Sequence, residues 1–82
     1  MANPNNVPLK KFRKFLTNEE GCKLIRTEGG HEIYARSDLN RSFPIQSHVD
    51  PVPRFIVDNA RRWLLYNSPE EKKEFYKKIA RL

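Results

Sequence analysis

Two adjacent glycines, Gly29-Gly30, stand between two short runs, Cys22 to Thr27 and Glu32 to Arg36, that alternate in the sense of a strand. A glycine pair admits the positive φ of a tight two-residue turn, so the middle of the chain is predicted to fold back on itself as a β-hairpin. Ser37-Asp38-Leu39-Asn40 supplies a second turn, and a third run follows from Arg41 to Gln46. Pro44 within it has no N–H for a ladder, which places that strand at an edge or a bulge. The expected core element is a three-stranded antiparallel meander.

Helices flank it. From Pro8, the apolar residues Leu9, Phe12, Phe15 and Leu16 recur at helical spacing, with Lys10, Lys11, Arg13 and Lys14 on the other faces. Gly21 can take the left-handed conformation that ends such a helix. Asp50-Pro51-Val52-Pro53 predicts another helix start, with Asp50 as N-cap and an apolar face of Val52, Phe55, Ile56, Ala60, Trp63 and Leu64. On its other side Arg54, Asp58 and Arg62 have the spacing of ion pairs. Ser68-Pro69-Glu70-Glu71 carries the signature of a capping box for a last helix, with Phe75, Tyr76, Ile79 and Leu82 facing inward. The order is αβββαα, an α+β fold. The Asn/Pro-rich leader, residues 1–8, is expected to be mobile.

Eighty-two residues make one domain, near the lower size at which a hydrophobic core suffices. A chain this short has no room for a deep cofactor cavity, so any activity belongs on an exposed face or in a shallow groove, and no cofactor is expected. The net charge of +6 favours an anionic partner. One cysteine, Cys22, rules out an internal disulfide, and with two isolated histidines gives no support to a metal site. Cys22 reads as small core rather than reactive thiol, since no activating motif surrounds it. The N-terminus has no signal-peptide pattern and no run approaches a membrane span, from which a soluble cytoplasmic protein is expected.

The hexapeptide Arg26-Thr27-Glu28-Gly29-Gly30-His31 concentrates the chemistry. Bare backbone at Gly29 and Gly30 lets a phosphate come close, and His31 carries a side chain that takes and gives protons near neutrality. RNA brings its own nucleophile, so one histidine that moves the proton of a 2′-OH suffices for cyclising cleavage, with no metal. In that reading Arg26, Arg36 and Arg41 neutralise phosphate charge, Lys10 and Lys11 on the first helix add contacts, and Tyr34 stacks on a base. Each residue has a plainer role open to it: a simple turn with an exposed histidine, solvated arginines, a tyrosine half-buried on the sheet. His48 reads as a loop or helix-entry residue. On a regular strand His31, Ile33 and Ala35 share one face, so if Ile33 faces the helices the turn must break that parity to expose His31.

The basic first helix, Gly21-Cys22-Lys23-Leu24-Ile25-Arg26, the Gly29-Gly30-His31 turn and Phe43-Pro44-Ile45 together resemble the HicA toxins of bacterial type II toxin–antitoxin systems, over roughly residues 9–65. The resemblance implies a fold like the double-stranded-RNA-binding domain, with residues 66–82 as an additional helix packed on it. It implies an mRNA-cleaving endoribonuclease neutralised by a cognate HicB-like antitoxin, with His31 as the catalytic histidine. The family's second histidine is replaced by Gln46, with His48 two residues later. Two other readings stay open: a non-catalytic RNA- or DNA-binding module using the same basic surface, and a protein-interaction domain whose charge serves solubility.

Overall fold

The computed structural model describes residues 4–82. Helix α1 (Leu9–Lys14) runs into a π-helical turn, Phe15–Glu19, in which the Glu20 N–H reaches back five residues to the Phe15 carbonyl at 3.0 Å. Leu9, Phe12, Phe15 and Leu16 are buried along this stretch. Gly21, at φ +69°, turns the chain out of it in the left-handed conformation that glycine takes without strain.

Three strands follow, β1 (Lys23–Glu28), β2 (His31–Ala35) and β3 (Phe43–Gln46), in the antiparallel order β1-β2-β3. The meander and the α+β class are as the sequence predicts. The facing of β2 is reversed: Glu32 and Tyr34 are buried against the helices, while Ile33 and His31 lie on the outer face. Strand parity is kept, and His31 is exposed without any break in it. The aromatic surface decides the sense, because Tyr34 pairs across the sheet with Phe43 and their rings stack at 6.1 Å. Glu32 can go inward only because it is paired there. It accepts from Tyr34 Oη at 2.8 Å and from Arg13 Nε at 3.1 Å.

All six residues of strand β1 are exposed. An uncovered edge invites pairing with other chains; here a bulge at Ile25 and the charges of Lys23, Arg26 and Glu28 blunt it. Strand β3 forms the other edge, where Pro44 is tolerated.

Asp50 does not cap the helix that follows it. Pro51 and Pro53 hold the chain extended, so α2 starts only at Arg54, and Asp50 Oδ1 instead accepts the Leu9 N–H of α1 at 3.0 Å. Val7 is fully buried and bridges Val52, whose N–H meets the Val7 carbonyl at 2.7 Å. The expected mobile leader therefore does not extend to Pro8; its first three residues lie outside the described ones. The buried stripe of α2 (Arg54–Trp63) is Ile56, Val57, Ala60 and Arg61, continued by Leu64. Phe55, expected on that face, is 58% exposed. Arg61 is accommodated because its Nη1 donates to the Tyr66 carbonyl at 2.6 Å. Arg54 pairs with Asp58 at 3.0 Å as its spacing suggests, whereas Arg62 donates to Asn59.

Helix α3 (Pro69–Ala80) opens on the capping box read from Ser68 and Glu71, with the two reciprocal bonds at 3.0 and 3.1 Å. Phe75 and Ile79 are fully buried in the same core as α1 and α2. Phe75 meets the Phe15 ring edge-on at 5.8 Å and Tyr66 at 5.3 Å. A buried carboxylate ties the helix down further: Glu20 accepts from Tyr66 Oη at 2.9 Å, Arg36 Nη1 at 3.1 Å and Lys78 Nζ at 3.3 Å. Its side chain is 2% exposed, a position an ionised carboxylate holds only when surrounded by donors.

Cys22 is buried, and that burial pushes its thiol up to about 11. At pH 8 the folded protein should therefore leave Cys22 unmodified by a water-soluble disulfide reagent over a time in which the urea-unfolded chain reacts fully. Equal rates in the two states would show an accessible thiol.

Candidate active site

Both turn glycines have positive φ, 54° at Gly29 and 80° at Gly30, as a type I′ hairpin turn requires. A Cβ on Gly29 would meet nothing, so the backbone there is open to solvent and to a ligand. The turn is fastened from behind. Ser47, just past β3, donates both its N–H and its hydroxyl to the Gly30 carbonyl, each at 2.8 Å, and its own carbonyl accepts from Arg13 Nη2 at 3.1 Å. Because Arg13 also binds Glu32, helix α1, strand β2 and the turn form one hydrogen-bonded unit. No sequence motif marked Ser47 or Arg13 for this; Arg13 stood unremarked in the basic run of α1.

His31 is the first residue of β2, opposite Glu28 on β1 and Gln46 on β3. Its side chain is exposed and makes no hydrogen bond or ion pair among the described residues. The outer face around it carries Arg26, Glu28, Ile33, Pro44 and Gln46. The second histidine comes to the same corner: the atom nearest to a Cβ placed on Gly30 would be His48 Cδ2, at 3.9 Å.

The residues expected to bind substrate divide into three groups. Gly29, Gly30 and Arg26 share the corner with His31, although Arg26 Nε is hydrogen-bonded to Glu28, which offsets part of its charge. Lys10 and Lys11 on α1 and Arg41 before β3 are exposed, and Arg41 lies toward the other end of the sheet. Arg36 and Tyr34 do not serve as expected. The Arg36 guanidinium is committed to Asp38, Glu20 and the Leu64 carbonyl, and the hydrogen bond with Asp38 holds it above the usual arginine range. It is a clasp between β2, the π-turn and α2. Tyr34 is 2% exposed, so no base can stack on it; burial and then its hydrogen bond to Glu32 push its phenol well above the ordinary range.

Comparison with protein-family models, curated proteins and solved structures gave no match. No cluster of three or more His, Cys, Asp or Glu side chains suited to a metal occurs among the described residues, and none of their helices is long and apolar enough to cross a membrane.

Proposed function

We propose that the chain is a toxin-type endoribonuclease that cleaves mRNA by proton transfer through His31 and is neutralised by a cognate protein of the HicB-like kind. The observation that carries the reading is the state of the His31 side chain: exposed, without a partner among the described residues, and set beside a glycine turn whose backbone at Gly29 leaves room for a phosphate. The +6 net charge supports an anionic substrate.

In the reaction the neutral imidazole of His31 takes the proton of a ribose 2′-OH. The 2′-oxygen attacks the adjacent phosphorus in line, the P–O5′ bond breaks, and the departing 5′-oxygen takes up a proton. The products are a 2′,3′-cyclic phosphate and a 5′-hydroxyl. Arg26 lies on the face where the phosphate would sit and offsets its growing charge. His48, whose ring borders the Gly30 position, is a second group at this corner that could deliver the leaving-group proton. A neutralising partner would act by covering the His31 face.

The requirement for a 2′-OH gives the test. With a fluorescent RNA oligonucleotide in excess EDTA, the purified protein should yield fragments ending in a cyclic phosphate. Replacing the nucleotide 5′ to the scissile bond by its 2′-deoxy analogue should abolish cleavage there. Cutting of the deoxy substrate, or a 3′-hydroxyl product, would contradict the mechanism, and binding without any cleavage would favour the non-catalytic module.

A further inference from the structure

At the other end of the sheet from His31, the β2–β3 loop and the end of α2 enclose a shallow groove of about 400 Å3 lined by Asp38, Leu39, Asn40, Arg41, Arg62, Trp63 and Leu65. From its charges, its aromatic wall and the uncommon backbone at its rim, we infer that this groove is a single-stranded RNA subsite, with a base stacked on Trp63 and phosphates held by Arg41 and Arg62. The inference rests on the reading that the chain acts on RNA, and adds a place where nucleotides away from the scissile bond are gripped.

Three charged residues line the groove. The Asp38 carboxylate is taken bidentately by Arg36, Nε to Oδ1 at 2.6 Å and Nη2 to Oδ2 at 3.1 Å. Among the described residues Arg41 has no ionic or hydrogen-bonding partner, and Arg62 has only the neutral Asn59 amide, at 2.9 Å. The groove is therefore left with two uncompensated guanidinium groups, which suit phosphate oxygens and stacking alike. Trp63 is partly exposed, its indole N–H has no partner among the described residues, and a second hollow lined by Asn59, Arg62 and Trp63 lies against it. An indole bordered by open space with arginine alongside is the arrangement on which bases of any sequence stack.

The rim carries the third sign. Leu65 has φ +69° and is the only described non-glycine residue with positive φ. Helix ends of this shape usually fall to Gly or Asn; a leucine there is strained and turns its side chain, 53% exposed, onto the wall of the groove. Strained backbone of this kind gathers at ligand sites.

Trp63 is the only tryptophan in the chain, so its emission reports this groove alone. The probe is a fluorescein-labelled hexauridylate for anisotropy and its unlabelled form for emission, both with the full-length His31→Ala protein so that the RNA stays whole. Saturable quenching of Trp63 with the midpoint seen by anisotropy is expected. Arg41→Ala, at an exposed loop position, and Arg62→Ala should each weaken binding severalfold and lower the steepness of its salt dependence by about 0.7. Trp63→Leu should weaken it by about 5- to 100-fold, and Trp63→Phe by much less. An abasic oligomer of equal length should not quench Trp63. Should hexauridylate bind with unchanged emission and undiminished affinity in both arginine variants, the subsite is overturned while the proposed nuclease stands. Absence of any binding overturns both. An emission change on raising protein concentration without RNA would assign the groove to a second copy of the chain and overturn the subsite.

Discussion

Phe75→Ala is expected to lower the unfolding free energy by about 3–5 kcal/mol, a large share of what a domain of this size commonly has. The ring is fully buried and touches Phe15, Tyr66 and Tyr76, so its removal opens a cavity between the π-turn, α3 and the segment joining α2 to α3. Urea unfolding followed by far-ultraviolet circular dichroism measures it, with Lys73→Ala, on the exposed side of α3, as a variant expected to change stability by less than about 0.5 kcal/mol. The size of the effect decides what α3 is. If it were a loosely docked appendage, losing Phe75 would cost under about 1 kcal/mol and the rest would unfold as before. The Glu20 carboxylate points the same way, since Lys78 from α3 and Tyr66 ahead of it complete its shell of donors.

How far the sequence could be read depended on whether a signal was local. The Gly29-Gly30 turn, the Ser68–Glu71 capping box and the left-handed Gly21 each rest on a few neighbouring residues, and the structure has them as expected. What went astray depended on partners far along the chain. Asp50 looked like a cap for its own helix, but forty-one residues separate it from the N–H that it binds. Nothing near Glu32 or Arg61 in the sequence reveals that Arg13, Tyr34 and the Tyr66 carbonyl receive them in the interior. The facing of β2 turned on the same point. Ile33 seemed the inward residue only while Glu32 could not be seen to have buried partners.

The candidate site shows the same division. Turn and histidine could be read together in one hexapeptide, and the exposure of His31 fits the role given to it. The arginines could not be sorted without coordinates. Arg26, Arg36 and Arg41 look alike in sequence, yet one stands beside His31 paired with Glu28, one is a half-buried clasp, and one has no partner among the described residues at the far end of the sheet. Tyr34 moved from surface to core with the reversal of the strand. The approach of His48 to Gly30 depends on the path of the chain after β3, where Ser47 fastens onto the turn.

The proposed chemistry passes through one side chain, and replacing it has the largest functional effect expected. His31→Ala removes a side chain with no hydrogen bond or ion pair among the described residues, so folding and RNA binding should be retained. The most direct measurement compares wild type and His31→Ala for initial cleavage rate on one labelled RNA, and for binding of its uncleavable fully 2′-deoxy form at the same salt. The expected result is a loss of about 10²- to 10⁴-fold in rate, the usual worth of a positioned acid–base group, with affinity changed by less than about threefold. Cleavage by His31→Ala at the wild-type rate would contradict the assignment.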